Sequence, residues 1–463
     1  MTHETKMTES RGLFKSMCLF IAPLMLTGIL QLLYTASDLI ICGTFGPENS
    51  TAAISETTPL VNLIVNTFLG LATGANVLMA KCYGAGDREK GQRVVYTSMA
   101  LSLVLGVCVG VFGAVCSRYF LVWMRTPKDV IKLSTEYLAI YFIGVPFTII
   151  YNFGASLLRA IGDTRKPFCF LTVSGVINVL LNLLFVIVFR MGVAGVAICT
   201  AISQFSAAAM VVLYILFRKN GFFLFKIKSI RFYRAETAEI VKIGLPAGLQ
   251  SFIFSLSNIM IMSSINSLGT AVLGGSGASS SLEGFVYTGM NSCAQGAMTF
   301  VSANYGAHNK KNISRVILYA LILVIMVWAV LSAIILSLGR QLLGLYVSNP
   351  ESITAGLQRL RVILFTYFLC GIMDTFAYCL RSIGYSLLPT VVSTIGACGF
   401  RLIWVFFIFP VPYFNNLLWL AYSYPISWLL TGSVHIILFI VLFKRLKFDE
   451  IPPDGEQVEA DTE

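Results

Sequence analysis

Five ionisable side chains stand inside long apolar runs of this sequence: Asp38, Glu283, Asp374, Arg401 and His435. A charged residue at the centre of a membrane-crossing helix costs about 2.5–3.5 kcal/mol, so those that persist face the interior of a bundle and mark paths for ions or solutes. Asp38 follows Gln31, Tyr34 and Thr35 at spacings of seven, four and three, which on a helix is one polar stripe. On such a stripe protonation and cation binding compete for one carboxylate, and that competition is the physical basis of ion exchange. The plainer alternative is a carboxylate that caps or pairs near the end of its helix, since Gly43 is little more than a turn away. Asn178 and Asn182, four apart and on one face with Ser174 and Gly175, can present amide oxygens to an ion. They can equally hydrogen-bond one helix to another.

Glu283 and Asp374 put negative charge in the second half of the chain. With Tyr287, Tyr367, Tyr378 and Trp404 as aromatic neighbours, a cavity lined by these acids would suit organic cations through charge and cation–π contact. The competing reading pairs Asp374 with Arg401 as a structural bridge. His435 is expected to pack between helices. With three histidines and no Cys-x-x-Cys pair, neither a metal site nor a cofactor is expected. The run Tyr83-Gly-Ala-Gly-Asp87 lacks the Lys-Ser/Thr of a phosphate loop and reads as a tight turn. No catalytic constellation is present, which weighs against an enzyme.

The elements that must position these residues are membrane helices. Of the 463 residues, 57% are hydrophobic and 12% charged, against about 25% charged in an ordinary soluble domain. Apolar stretches long enough to cross a bilayer recur at 14–42, 52–80, 94–116, 133–158, 168–189 and 193–217, then at 240–265, 271–303, 315–338, 355–380, 390–409 and 417–443. The first is too long for a cleaved signal and is expected to persist. Twelve spans put both termini on one side, and the cytosolic side is expected from the basic loops. Arg218, Lys219, Lys226, Lys228, Arg231 and Arg234 crowd one inner segment, whereas the loop 43–51 has no Lys or Arg. That pattern accounts for the net charge of +11 without nucleic acid. The expected organisation is a six-helix lobe over 1–217, a cytosolic basic linker over 218–239, a second lobe over 240–448 and a disordered acidic tail over 449–463.

The two lobes echo each other. At an offset of 222 residues Tyr83, Gly84 and Ala85 fall on Tyr305, Gly306 and Ala307, and Leu158, Arg159, Ile161, Gly162 and Pro167 fall on Leu380, Arg381, Ile383, Gly384 and Pro389. Six spans per repeat is even, so the halves are parallel repeats, and in repeat transporters the substrate site lies near the midplane where halves meet.

Together with Pro23, Gln31-Leu-Leu-Tyr-Thr-Ala-Ser-Asp38, Leu158-Arg-Ala-Ile-Gly-Asp163, Asn178 and Leu245-Pro246, these motifs resemble the multidrug and toxic compound extrusion (MATE) transporters. The resemblance implies an all-α, V-shaped pair of six-helix lobes that exchanges organic cations or drugs for H+ or Na+ by alternating access. It implies a bacterial plasma-membrane protein, here expected to be a monomer. It also points to Asp38, with Asn178, Asn182, Gln31 and Tyr34, as the ion-coupling group, and leaves Glu283, Asp374, Arg401 and Tyr287 to substrate or coupling in the second lobe. One departure is Asn182, where many relatives carry Asp. The alternative within the same superfamily is a lipid or lipid-linked oligosaccharide flippase, expected to need a chamber richer in Arg and Lys. Only Arg401 reads as deep.

Overall fold

The computed structural model describes residues 7–47, 50–124, 126–218 and 221–446; the acidic tail at 449–463 lies outside them. All regular structure among these residues is helical. The first half comprises α1 (Leu13–Phe45), α2 (Ser50–Ala85), α3 (Arg88–Trp123), α4 (Ile131–Ala160), α5 (Arg165–Asn182) with a π-helical turn at Leu183–Val188, and α6 (Gly192–Phe217). The second comprises α7 (Arg234–Asn266), α8 (Thr270–Gly306), α9 (Lys310–Ser337), the short α10 (Gly339–Gly344), α11 (Pro350–Thr366), α12 (Phe368–Ser382), α13 (Leu387–Ser393), α14 (Phe400–Ile403) and α15 (Leu417–Arg445). Ten stretches are long and apolar enough to cross a bilayer, and α11 with α12, bent by 48°, makes an eleventh. The expected eighth span is α8, whose 37 residues include the small, polar run Gly274-Gly-Ser-Gly-Ala-Ser-Ser-Ser281. That run lowers its hydropathy and suits close helix packing. The linker expected up to 239 is already helical from Arg234.

The packing crosses the sequence boundary between the halves. Leu13, Met17, Phe20, Ile21 and Leu24 of α1 join the core built by α8, α9, α11 and α12, whereas Ile41 and Cys42 of the same helix pack with Tyr137, Val193 and Val196 of the first half. Helix α7 mirrors this: Ile240 belongs to the first-half core, and Ile261 and Ile265 pack with Trp404 and Leu417. Each of these straddling helices carries an internal proline, Pro23 or Pro246, which removes a backbone donor from the hydrogen-bond ladder.

The repeat motif brings α2 and α8 together at equivalent ends. A Cβ on Gly84 would run into the Ala303 carbonyl, and one on Gly306 into that of Lys81. Positions 84 and 306 correspond under the 222-residue offset, as do 81 and 303, so the contact is reciprocal about the pseudo-twofold axis. The Tyr-Gly-Ala turn is therefore also a helix crossing that only glycine permits.

Candidate functional site

The first-half polar cluster forms where α1, α5 and α6 meet. Asp38, buried, accepts a hydrogen bond of 2.6 Å from Asn182 Nδ2 on one carboxylate oxygen and one of 3.3 Å from the Thr200 hydroxyl on the other. The same Asn182 nitrogen donates to Asn178 Oδ1 at 3.2 Å. Asn182 Oδ1 is buried without a partner. Asn182 is the last residue of α5 before the π turn at Leu183–Val188, a departure from regular helix that recurs at functional positions. The structure thus assembles Asp38, Asn178 and Asn182. It directs Tyr34 elsewhere, to donate to the Leu171 carbonyl at 2.8 Å, and it leaves Gln31 on a separate central chamber. Thr200 escaped sequence reasoning because one threonine in an apolar run has no spacing partner. Its hydroxyl also lies 3.0 Å from the Val196 carbonyl, so a single proton serves two acceptors.

The chamber, of about 480 Å3, lies between the halves. Gln31, Asn66, Asn76 and Asn152 line it from the first half and Gln250, Asn258, Asn291 and Gln295 from the second. Thr299 of α8 donates to Asn76 of α2 across it at 3.0 Å. Asp374 faces it, in reach of the Tyr287 hydroxyl and the Asn291 amide. Asn291 in turn donates to the Tyr287 oxygen at 3.3 Å and accepts from Gln295 at 2.6 Å. Tyr287, Tyr367 and Trp428 form a stacked aromatic wall, with centroids 6.4 and 5.1 Å apart.

Two sequence expectations are corrected here, and the competing reading for Asp374 is settled. Glu283 does not line the chamber; it is 5% exposed and clamped by Arg359 of α11 through bonds of 2.8 and 2.9 Å, with Ser279 donating at 2.9 Å. Arg359 itself was overlooked inside the tenth span. Asp374 and Arg401 form no ion pair; Arg401 Nε donates to Ser427 at 3.0 Å, and its guanidinium lies over Tyr424 at 4.3 Å. Finally, the chamber is not acidic. Asp374 is its one carboxylate among the described residues, against Arg159, Arg381 and Arg401. Arg159 and Arg381 end α4 and α12, and by sequence they read as loop residues. Helical side chains lean toward the N-terminus of their helix, so these reach back by a turn into the chamber. His435 packs as expected, within 3.3 Å of the Met373 and Pro389 carbonyls.

A family model described as MatE matches residues 23–184 and again 246–407, one copy in each half. The chain belongs to the MATE family of transporters. This MATE chain is 29% identical over 403 residues to the probable multidrug resistance protein YoeA of Bacillus subtilis, covering 85% of the chain and 87% of that relative. It is 24% identical over 446 residues to the multidrug export protein MepA of Staphylococcus aureus, covering 95% and 96%. Among solved structures, an outward-facing multidrug resistance MATE transporter shares the fold with a TM-score of 0.87 at 20% identity, over 96% of this chain and 98% of that one. The MATE crystal structure in complex with MaL6 does so at 0.87, over 96% and 99%. A multi-pass membrane transporter with two repeated helical halves is therefore established.

Proposed function

We propose that this chain is a secondary antiporter of the plasma membrane that exports small organic compounds in exchange for H+ or Na+ by alternating access, with both termini in the cytosol. The observation that carries the coupling is the Asp38 cluster, a carboxylate held by three helices of the first half and separate from the chamber. In the present arrangement Asn182 offers its NH2 to Asp38, which matches an ionised carboxylate. A protonated Asp38 would itself donate, and Asn182 with its amide turned over would accept through Oδ1, the atom now without a partner. Na+ would instead draw on the oxygens of Asp38, Asn178, Asn182 and Thr200, in keeping with its preference for oxygen ligands. Occupancy of this cluster then changes the bonding between α1, α5 and α6.

Helix α1 links that change to the chamber. Its N-terminal part packs in the second-half core and its C-terminal part in the first, so any shift at Asp38 moves a helix shared by both lobes. The reciprocal α2–α8 crossing at Gly84 and Gly306 closes one end of the interface. Rocking of the lobes has to separate it. The multidrug names of the relatives favour small organic molecules as cargo.

The test is transport by purified protein in liposomes, with proton and sodium gradients imposed separately. Wild type should drive dye movement with one of them, and Asp38→Asn should lose the dependence on that gradient. Wild-type rates with intact coupling in Asp38→Asn would overturn the proposal.

A further inference from the structure

The charge of the chamber is the opposite of what the buried acids of the sequence promise. Among its described lining residues it carries one carboxylate, Asp374, and three guanidinium groups, Arg159, Arg381 and Arg401. Two of these arginines are nearly inaccessible, Arg381 at 3% and Arg401 at 2% exposure. Their donors are only partly used. Arg381 donates to Gln250 Oε1 through Nη2 and Arg401 to Ser427 through Nε, while Arg381 Nε and Arg401 Nη2 are buried with no partner. Neither is within ion-pair distance of Asp374 among the described residues.

Leaving a buried charged donor unmade costs more than an ordinary hydrogen bond returns. A protein normally relieves such a group with a carboxylate from its own chain, as it does for Arg359 with Glu283. Here both arginines border a chamber whose walls supply amides and aromatic rings. We propose that the chamber binds amphipathic organic anions, with a carboxylate, sulfonate or phosphate taken by Arg381 and Arg401 and the flat apolar body laid against Tyr287, Tyr367 and Trp428. Guanidinium forks suit that task because they pair bidentately with planar or tetrahedral oxyanions. The Arg401 guanidinium lies over the rings of Tyr424 and Trp428, at 4.3 and 5.7 Å. The volume of about 480 Å3 falls within the range of drug-sized ligand sites. Asp374, tied to Tyr287 and Asn291, sets a limit on how much negative charge the guest can carry and where.

This inference rests on the export reading and is tested beside it. Wild-type protein in liposomes is offered fluorescein as the anionic dye and ethidium as the cationic one, under the driving gradient. Wild type should prefer fluorescein, Arg401→Gln and Arg381→Gln should each lower the fluorescein-to-ethidium ratio at least tenfold, and Arg401→Lys should recover part of it. Asp374→Asn should raise the ratio, an opposite sign that keeps the test decisive even if an arginine variant does not fold. Adding phosphatidylglycerol, or following a fluorescent phosphatidylglycerol across the bilayer, separates the two sources of anion. Competition with fluorescein, or lipid movement dependent on Arg401, supports the anion site with a phospholipid headgroup as guest. Wild-type preference for ethidium that Asp374→Asn abolishes would overturn the inference and leave the exporter standing. Movement of neither dye under any gradient would instead sink the exporter reading.

Discussion

Breaking the Arg359–Glu283 pair gives the sharpest test of how this bundle uses its buried charge. Both residues are 5% exposed, and the guanidinium meets the carboxylate with two nearly parallel bonds of 2.8 and 2.9 Å. Ser276 accepts from Arg359 at 3.1 Å and Ser279 donates to Glu283 at 2.9 Å, so four side chains form one brace between α8 and α11. In Arg359→Met the carboxylate keeps only the serine, and an uncompensated buried charge of this kind costs about 3–5 kcal/mol. Glu283→Leu leaves the guanidinium stranded at a similar cost. The double variant removes both charges, and replacing a buried pair with apolar groups of like volume is neutral or stabilising by about 1–4 kcal/mol. The assay is the temperature at which detergent-solubilised protein is lost from its size-exclusion peak. The expected order is the double variant at or above wild type, and both single variants well below. Order is the readout because a chain of this many spans does not unfold in two states. The double variant should also transport at close to the wild-type rate. If Glu283→Gln instead melts like wild type and loses gradient coupling, Glu283 is a titrating site and the structural reading of the pair is wrong.

Other perturbations probe the remaining parts. Gly306→Val should force the α2–α8 crossing apart, because its Cβ meets the Lys81 carbonyl; cysteine labelling at that end should increase and transport should fall by more than tenfold. Thr200→Val removes the 3.3 Å bond to Asp38, worth about 0.5–1.5 kcal/mol, so the half-maximal concentration of the coupling ion should shift by about two- to tenfold with cargo binding unchanged. Gly175→Leu should drive the Tyr34 ring out of its place against α5, separating α1 from α5. Loss of coupling with dye binding retained is the expected result, and unchanged coupling would show that the α1–α5 contact is not part of the ion site.

The membrane class, the succession of spans and the duplication were legible in the chain itself, because crossing a bilayer demands runs of apolar residues and a repeat leaves motifs at one offset. The grouping of Asp38 with Asn178 and Asn182 was implied by the resemblance to the MATE family, whereas spacing alone left the two asparagines open between an ion site and helix-to-helix bonding. Which acids face the chamber was not legible. Glu283 and Asp374 look alike in sequence, yet one is locked to Arg359 and the other faces the cavity. The chamber's arginines were hidden in the repeat motif itself: Arg159 and Arg381 sit at helix ends that the hydropathy profile assigns to loops, and the tilt of helical side chains carries them inward. The π turns beside Asn182 and on both sides of Arg401 were equally invisible, being a register change in the backbone with no residue signature. Composition and periodicity decide what must be buried in lipid. The crossing of the straddling helices α1 and α7, and the direction in which long side chains lean, decide the sign of the charge left between the lobes.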